Sequence, residues 1–437
     1  MNLVASAPAD RRASPPGVAS IAAYATGSIG TGLFSTVPTV LLLYYCTETL
    51  HIPAAMAALT VFVPKAWSIL WDPVVGAWSD NTVSRFGRRR PFLLAGAAGV
   101  FCAFILLFNV PDLPPVRAFL WVATSYFGLA TLYSLFAVPY VALPSEIAPT
   151  DHARSAMVSA RITVATIGVL IGGGLAPVLI ERFGGGRTGY AHMSWVLAGV
   201  ALIAMLCPLV TLWRRDTSAP RTTSIRFLTQ LTLAARDPAM RSLGLSYILQ
   251  ISAAGALSAT IPYLVVRAAG RSESEIGLAL GGMLISAIIA TPFWGWIGRH
   301  FGERRINIIA LVFYAAALFA LGGACLLGLS WPAILALLAL VGIPFAATQV
   351  LPFVVQAGIA QAASARGGIS VEGAYAGAWT AIEKLGLATG PMLAGLAISL
   401  SGDNIRMGAP VFLLIAPPIL LIAAIAPLKS IQSARES

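Results

Sequence analysis

Two oppositely charged side chains stand inside one apolar run, Lys65 and Asp72 within TVFVPKAWSILWDPVVG (60–76). Two helical turns separate them, so Lys65, Ser68, Asp72 and Gly76 fall along one face of a helix. A carboxylate held in a partly dry cavity can be neutralised by a proton or a cation before the cavity closes. Asp72 is therefore the leading candidate for an ion-coupling residue, with an ion pair to Lys65 or Lys384 as the structural alternative. The next residue, Pro73, frees the carbonyl four residues back and predicts a kink there.

Arg161, Glu383 and Lys384 also lie deep in apolar runs, where each charge costs ~2.5–3.5 kcal/mol on insertion scales. Arg161 shares a helix face with Ala165, Gly168 and Gly172, small residues that permit close packing or a wide cavity. Lys384 aligns with Gly377 and Thr380; snorkelling to an interface is the structural alternative for both cations, but they sit too deep for easy escape, which favours a functional role. Glu383 lies on a neighbouring face with Tyr375 and Trp379, as a local partner of Lys384 or a second titrating group. Gln250, Gln349 and Gln356 are amides that contact a substrate or bond neighbouring helices. The histidines, His51, His152, His192 and His300, lie in or beside connections without zinc spacing, and no nucleophile with a base stands out, so catalysis is not expected.

The elements that carry these groups follow from composition. Of 437 residues, 58% are hydrophobic and 10% charged, against roughly 45–50% and 25% in soluble domains. Apolar stretches long enough to cross a bilayer run at about 18–46, 52–78, 91–110, 117–143, 156–180, 193–213, 242–266, 275–298, 306–329, 332–360, 372–400 and 407–428. The formal charge of +11 does not call for a nucleic-acid partner, because the arginines sit between these runs. With both termini cytoplasmic, inside segments hold 19 of the 28 Lys and Arg and outside segments hold six, the bias the positive-inside rule demands. The four cysteines all fall in apolar stretches without paired spacing, so neither disulfide nor metal is expected.

The longest connection, 214–241, separates two sets of six crossings. The expected organisation is an N-terminal tail (1–17), a six-helix bundle (18–213), that linker, a second bundle (242–428) and a C-terminal tail (429–437). The connection after the second crossing begins GAWSD and ends RFGRRR, and the one after the eighth reads GWIGRHFGERR. Gly76 and Gly295 differ by 219 positions, about half the chain. Two parallel repeats around a midplane site are the architecture of major facilitator transporters.

Gly76, Asp80, Gly87, Arg88 and Arg89 resemble the loop signature of that superfamily, with Arg85 in the same loop. Four extra residues separate its glycines relative to the second copy, which has Arg299 in place of Asp80. The stretches 71–96, 133–147, 159–174 and 372–390 resemble the glycoside-pentoside-hexuronide:cation symporters, the melibiose-carrier-like family. The loop acid can accept bonds from arginines and latch the two halves in one state; the alternative is a solvated loop whose arginines only set topology. Glu146 and Glu372, near cytoplasmic ends, read as partners for loop arginines.

The resemblance implies a twelve-helix, all-α carrier without prosthetic group, monomeric, in contact with membrane lipids. It places Arg161 and Lys384 near the sugar and cation cavity. In melibiose-type carriers acids commonly occupy positions corresponding to Gly32, Ser68, Asp72 and Ala137, and here only Asp72 remains. One carboxylate plus Ser68 makes a poor sodium cage, so a proton is the expected coupling ion, with sodium as the alternative. Sugar carriers commonly stack a ring on an aromatic face. Tyr126, Tyr133 and Tyr140 form one stripe, and Trp67, Trp71, Tyr375 and Trp379 can complete a pocket with Gln349, though helix packing explains aromatic stripes as well. The expected substrate is a sugar, glycoside or hexuronide; a lysolipid-like or other anionic amphiphile is the alternative, because intramembrane cations outnumber acids. Arg outnumbers Lys 25 to 3, which suggests a bacterial inner membrane.

Overall fold

The computed structural model describes residues 16–213, 232, 234–367, 372–401 and 405–431. Twelve of its helices are long and apolar enough to cross a membrane. They are α1 (Val18–Leu42), α2 (Ala54–Asn81), α3 (Arg90–Phe108), α4 (Pro115–Ile147), α5 (His152–Arg182), α6 (Gly186–Leu209), α7 (Pro238–Ala268), α8 (Ser274–Phe301), α9 (Glu303–Leu326), α10 (Trp331–Ala365), α11 (Ala374–Leu400) and α12 (Met407–Ser430). Each coincides with one of the expected apolar runs. Several overshoot it by a turn, because a hydropathy run ends at the first polar residue while the backbone ladder continues into the interface. Most of both expected tails and most of the 214–241 linker lie outside the described residues, as does the side chain of Glu372.

Asp237 caps α7, its carboxylate accepting from the backbone N–H of Ala239 at 2.8 Å and of Met240 at 3.3 Å. The seventh crossing therefore starts four residues before the expected boundary. Pro64 and Pro73 lie within α2, and Pro139 and Pro144 within α4, so the helices nearest the candidate site each lose two ladder bonds. π-helical turns occupy Pro38–Leu42, Tyr45–Thr49, Ile171–Leu175 and Leu264–Ala268. All four lie toward the end of the bundle opposite the 82–89 loop; these ends are called here the far end and the loop end.

Close approaches fix how helices pair. A Cβ on Gly390 would stand 2.5 Å from the Ser252 carbonyl oxygen and 2.6 Å from the Ala256 nitrogen, so α7 and α11 meet backbone to backbone. Between the halves, a Cβ on Gly277 in α8 would collide with the Gly174 carbonyl of α5.

Candidate functional site

α2 presents Asp72 to both halves of the molecule. One carboxylate oxygen accepts from Ser134 Oγ of α4 at 2.6 Å, and the other is ion-paired with Lys384 of α11. Both charged side chains are 24% exposed, so the pair sits at the edge of a wet space rather than in a sealed core. Lys65 shares the helix face of Asp72 but does not bond to it. Its ammonium donates to Thr39 Oγ1 at 2.9 Å and to the Leu387 carbonyl at 3.3 Å. Of the two ion pairs open on sequence grounds, the structure forms the one to Lys384, which crosses between the halves.

The remaining expected residues divide into those near this pair and those committed elsewhere. Tyr133 lies between the charges of Asp72 and Arg161, both of which act on its hydroxyl, and its ring stacks on Phe34 with centroids 3.8 Å apart. Arg161 also acts on Tyr24 and Tyr140, and its buried Nε has no partner among the described residues. Ser68 donates to its own helix at the Lys65 carbonyl, 2.8 Å away. Trp67 and Trp71 stack on each other and donate to Thr131 Oγ1 and the Thr131 carbonyl, both at 3.1 Å, which pins them to α4. Tyr126 and Tyr140 are fully buried; Tyr140 bonds to Ser28 Oγ and the Tyr24 carbonyl at 2.7 Å each, so its hydroxyl is committed to the helix packing of the N-terminal half.

On the C-terminal half, Trp379 stacks on Tyr247 with centroids 4.2 Å apart. Tyr375 donates to Asp237 Oδ2 at 2.9 Å and so ties the start of α11 to that of α7, away from the ion pair. Gln349 donates to the neighbouring Thr348 Oγ1 at 3.2 Å.

At the loop end the signature residues converge on one acid. Arg89 reaches Glu146 Oε1 through Nε at 2.9 Å and Nη2 at 2.7 Å, Ser79 Oγ through Nη1 at 2.6 Å, and Asp80 at 2.7 Å. Arg88 pairs with the same Glu146 oxygen. Arg85 lies over the Phe86 ring at 4.8 Å, Gly87 adopts φ 88°, which favours glycine, and Gly76 packs near Val138. The latch was expected to join the halves; in this state all of these bonds lie within the N-terminal half. In the second copy, Arg299 donates to its own helix at the Gly295 carbonyl.

The far end is closed by different residues, which the sequence reading did not single out. Glu48 is ion-paired with Arg267, Thr47 Oγ1 and the Tyr263 hydroxyl lie 2.6 Å apart, and Tyr44 meets Tyr263 edge-on at 5.2 Å. Glu181 accepts from the Ser274 backbone N–H at 2.6 Å. Positions 44 and 263, like 48 and 267, differ by the repeat offset of 219. Both sit at or within the matching π-helical turns Tyr45–Thr49 and Leu264–Ala268, which differ by the same offset. Equivalent residues of two repeats touch each other only near the axis that relates them, so this closure stands on the pseudo-two-fold axis. The signal was present: applying the offset to every residue pairs Glu48 with Arg267.

The arrangement matches known transporters. The sphingosine-1-phosphate transporter MFSD2B of Mus musculus is 24% identical over 317 residues, 68% of this chain and 64% of its own. The inner membrane symporter YicJ of Escherichia coli (strain K12) is 28% identical over 262 residues, 58% of this chain and 56% of its own. The chain thus spans less than two thirds of these relatives. Among solved structures, a bacterial homologue of the human lysosomal transporter Spinster, inward-facing and occupied, superposes with a TM-score of 0.74 at 14% identity, covering 94% of this chain and 95% of that one. The family described as MFS/sugar transport protein matches residues 23–412, and the chain belongs to it, with twelve helices among its described residues long and apolar enough to cross a membrane.

Proposed function

We propose that the protein is a secondary carrier that works by alternating access and couples a cation, the proton, to symport of a sugar, glycoside or hexuronide. The observation that carries this reading is the Asp72–Lys384 pair. It joins α2 of one half to α11 of the other, so the halves cannot rock apart along this seam while it is intact. Breaking a buried pair by removing one partner costs ~3–5 kcal/mol, and the partial exposure here places this pair below that range. A proton on Asp72 removes the attraction at its source, and a substrate oxygen accepting from Lys384 compensates the freed ammonium. Proton and substrate together then unlock what neither unlocks alone, which is the requirement for coupling.

The far-end contacts between the halves form the gate that is closed in this state. The arginine distribution sets the loop end in the cytoplasm, making this the inward-facing arrangement. In a bacterial cell the membrane is the inner one. The candidate substrate contacts are Arg161 and Tyr133 from the N-terminal half, and Lys384, Trp379 and Gln349 from the C-terminal half.

A second substrate reading rests on Arg161, whose Nε has no partner among the described residues. An uncompensated cation beside a cavity suits a carboxylate or phosphate, and MFSD2B is named for a phosphorylated lipid. Thermal-shift binding of sugars, uronides and lysolipids to the purified protein separates the two. Uptake into proteoliposomes under a pH gradient then tests coupling. Accumulation that ignores both proton and sodium gradients overturns symport.

A further inference from the structure

α11 carries two adjacent ionisable residues that face different neighbours. Lys384 turns to Asp72 on α2. Glu383 stands one helical turn beyond Trp379, whose ring stacks on Tyr247 of α7 at 4.2 Å, on the stretch where α11 packs against α7: a Cβ on Gly244 would stand 2.8 Å from Ile382, and one on Gly386 would stand 3.2 Å from the Ile248 carbonyl. No hydrogen bond or ion pair reaches the Glu383 carboxyl from another described residue, and Lys384, already engaged, acts on it only through space.

The seam between α7 and α11 beside it is short of partners in an unusual way. Tyr247 and Gln250 are 0% exposed and Trp379 3%. Yet the Tyr247 hydroxyl, the Trp379 Nε1 and the Gln250 Oε1 all lack a hydrogen-bond partner among the described residues. Phe353 of α10 closes the group, its ring edge-on to Tyr247 at 5.8 Å and to Trp379 at 5.5 Å. The Gln250 amide is not free to turn over. Its Nε2 donates to Ser246 Oγ at 2.9 Å, and Ser246 gives its one hydrogen to the Ala424 carbonyl at 2.7 Å. Ser246 can therefore only accept from Gln250, which leaves the amide oxygen as the orphan.

An orphaned buried polar group costs about 1–3 kcal/mol, so three together imply a group that satisfies them. The inventory is specific: an indole N–H that only donates, an amide oxygen that only accepts, and a phenol that does either. An ionised carboxylate offers acceptors alone and cannot serve the amide oxygen. A carboxylic acid offers one O–H donor and an acceptor oxygen, and so serves all three.

We propose that Glu383 is a second proton-binding site, in the C-terminal half and separate from Asp72, completed by Tyr247, Gln250 and Trp379. A proton taken from the open cavity adds to one carboxylate oxygen. The new O–H donates to Gln250 Oε1, while the other oxygen accepts from Trp379 Nε1 or Tyr247. The ionisable groups around Glu383 are few among the described residues. α2 brings Lys65 and Asp72, with Asp80 at its loop end; α7 brings Tyr247, with Asp237 and Arg241 at its loop end and Tyr263 and Arg267 at its far end; α11 brings Tyr375 and Lys384. α10 contributes none, and α12 only Lys429 at its loop end.

The test needs neither substrate nor transport, so it stands or falls apart from the symport reading. Infrared difference spectra of the purified protein, recorded while the pH is raised, report each protonated carboxyl that ionises. Wild type is expected to lose a protonated-carboxyl band, Glu383→Gln to lack that band throughout, and Asp72→Asn to keep it. Gln250→Leu, which removes the acceptor of the new O–H, is expected to shift the band's midpoint to lower pH. A band that survives in Glu383→Gln, or a midpoint unmoved in Gln250→Leu, overturns the assignment. If Glu383→Gln does not fold, Gln250→Leu and Trp379→Phe carry the test, since a merely structural role for either would leave the midpoint where it is.

Discussion

At the loop end, Arg88 and Arg89 gather on Glu146 and Asp80, and all four belong to the N-terminal half. At the far end, Glu48 and Arg267, with Tyr44 and Tyr263, belong to opposite halves and to equivalent positions of the repeat. The first network shapes one half as a rigid piece and has no counterpart among the described residues of the second copy, where Arg299 replaces the acid. The second is a junction that must part whenever the far end opens. Charge density is therefore a poor guide to where the halves are held together. The arginine-rich loop holds three helices of one bundle, and at the other end the Glu48–Arg267 pair and a few aromatic and hydroxyl contacts join the two halves.

Four measurements probe this contrast. The largest effect is expected at Glu146. Its side chain and that of Arg89 are each 6% exposed, so Glu146→Gln leaves two guanidiniums without their shared acid and is expected to destabilise the protein by ~3–5 kcal/mol, read as a large fall in the detergent melting temperature. A change of less than about 1 kcal/mol would show that this network is a solvated loop after all.

Next comes Asp72→Asn, which keeps shape and removes charge. Concentrative uptake is expected to be lost while exchange of preloaded substrate continues, because the seam between α2 and α11 no longer waits for a proton. Wild-type accumulation at every pH would remove Asp72 from coupling.

At the far end the effect is smaller, since Arg267 is 52% exposed and pairs of that kind contribute about 0–1 kcal/mol. Glu48→Arg is expected to raise labelling of a cysteine placed at the far end. Because the two positions are repeat equivalents, the exchange Glu48→Arg with Arg267→Glu is expected to restore wild-type labelling. Failure of the exchanged pair would place the closure off the axis.

The smallest effect concerns Glu273, in the connection between α7 and α8. Burial, and then the nearby Glu181 charge, push its carboxyl above the usual 4.5. A raised carboxyl favours the packed state while protonated and loses that contribution as pH rises through the shifted value. Far-end labelling in wild type is thus expected to rise as the pH climbs past 4.5, and Glu273→Gln to flatten the profile. An identical profile in the variant would remove Glu273 from the closure.

How much of this was legible in the sequence differs residue by residue. The crossings were, since a bilayer imposes a length and an apolar composition on every span. Glu146 was found as an arginine partner from its place at a helix end. Spacing placed Lys65 and Asp72 on one face but could not pair them, since a shared face sets direction and not distance to a neighbouring helix. Ser134, the other partner of Asp72, lies on α4 with nothing in its surroundings to mark it. The same is true of Thr39 beside Lys65 and Thr131 beneath the tryptophans.

By itself, then, the sequence determined the spans, the duplication and the short roster of charges able to act within the membrane, because those follow from hydropathy and from identity at a fixed offset. Only the tertiary structure decided that Lys384 and not Lys65 meets Asp72, that Tyr375 leaves the cavity for Asp237, and that Tyr247, Gln250 and Trp379 each keep a buried polar atom without a partner among the described residues. Those outcomes depend on how α2, α7 and α11 cross. Backbone contacts at Gly390 and elsewhere set these crossings, and close packing of that kind is a property of helix pairs, not of any single stretch of chain.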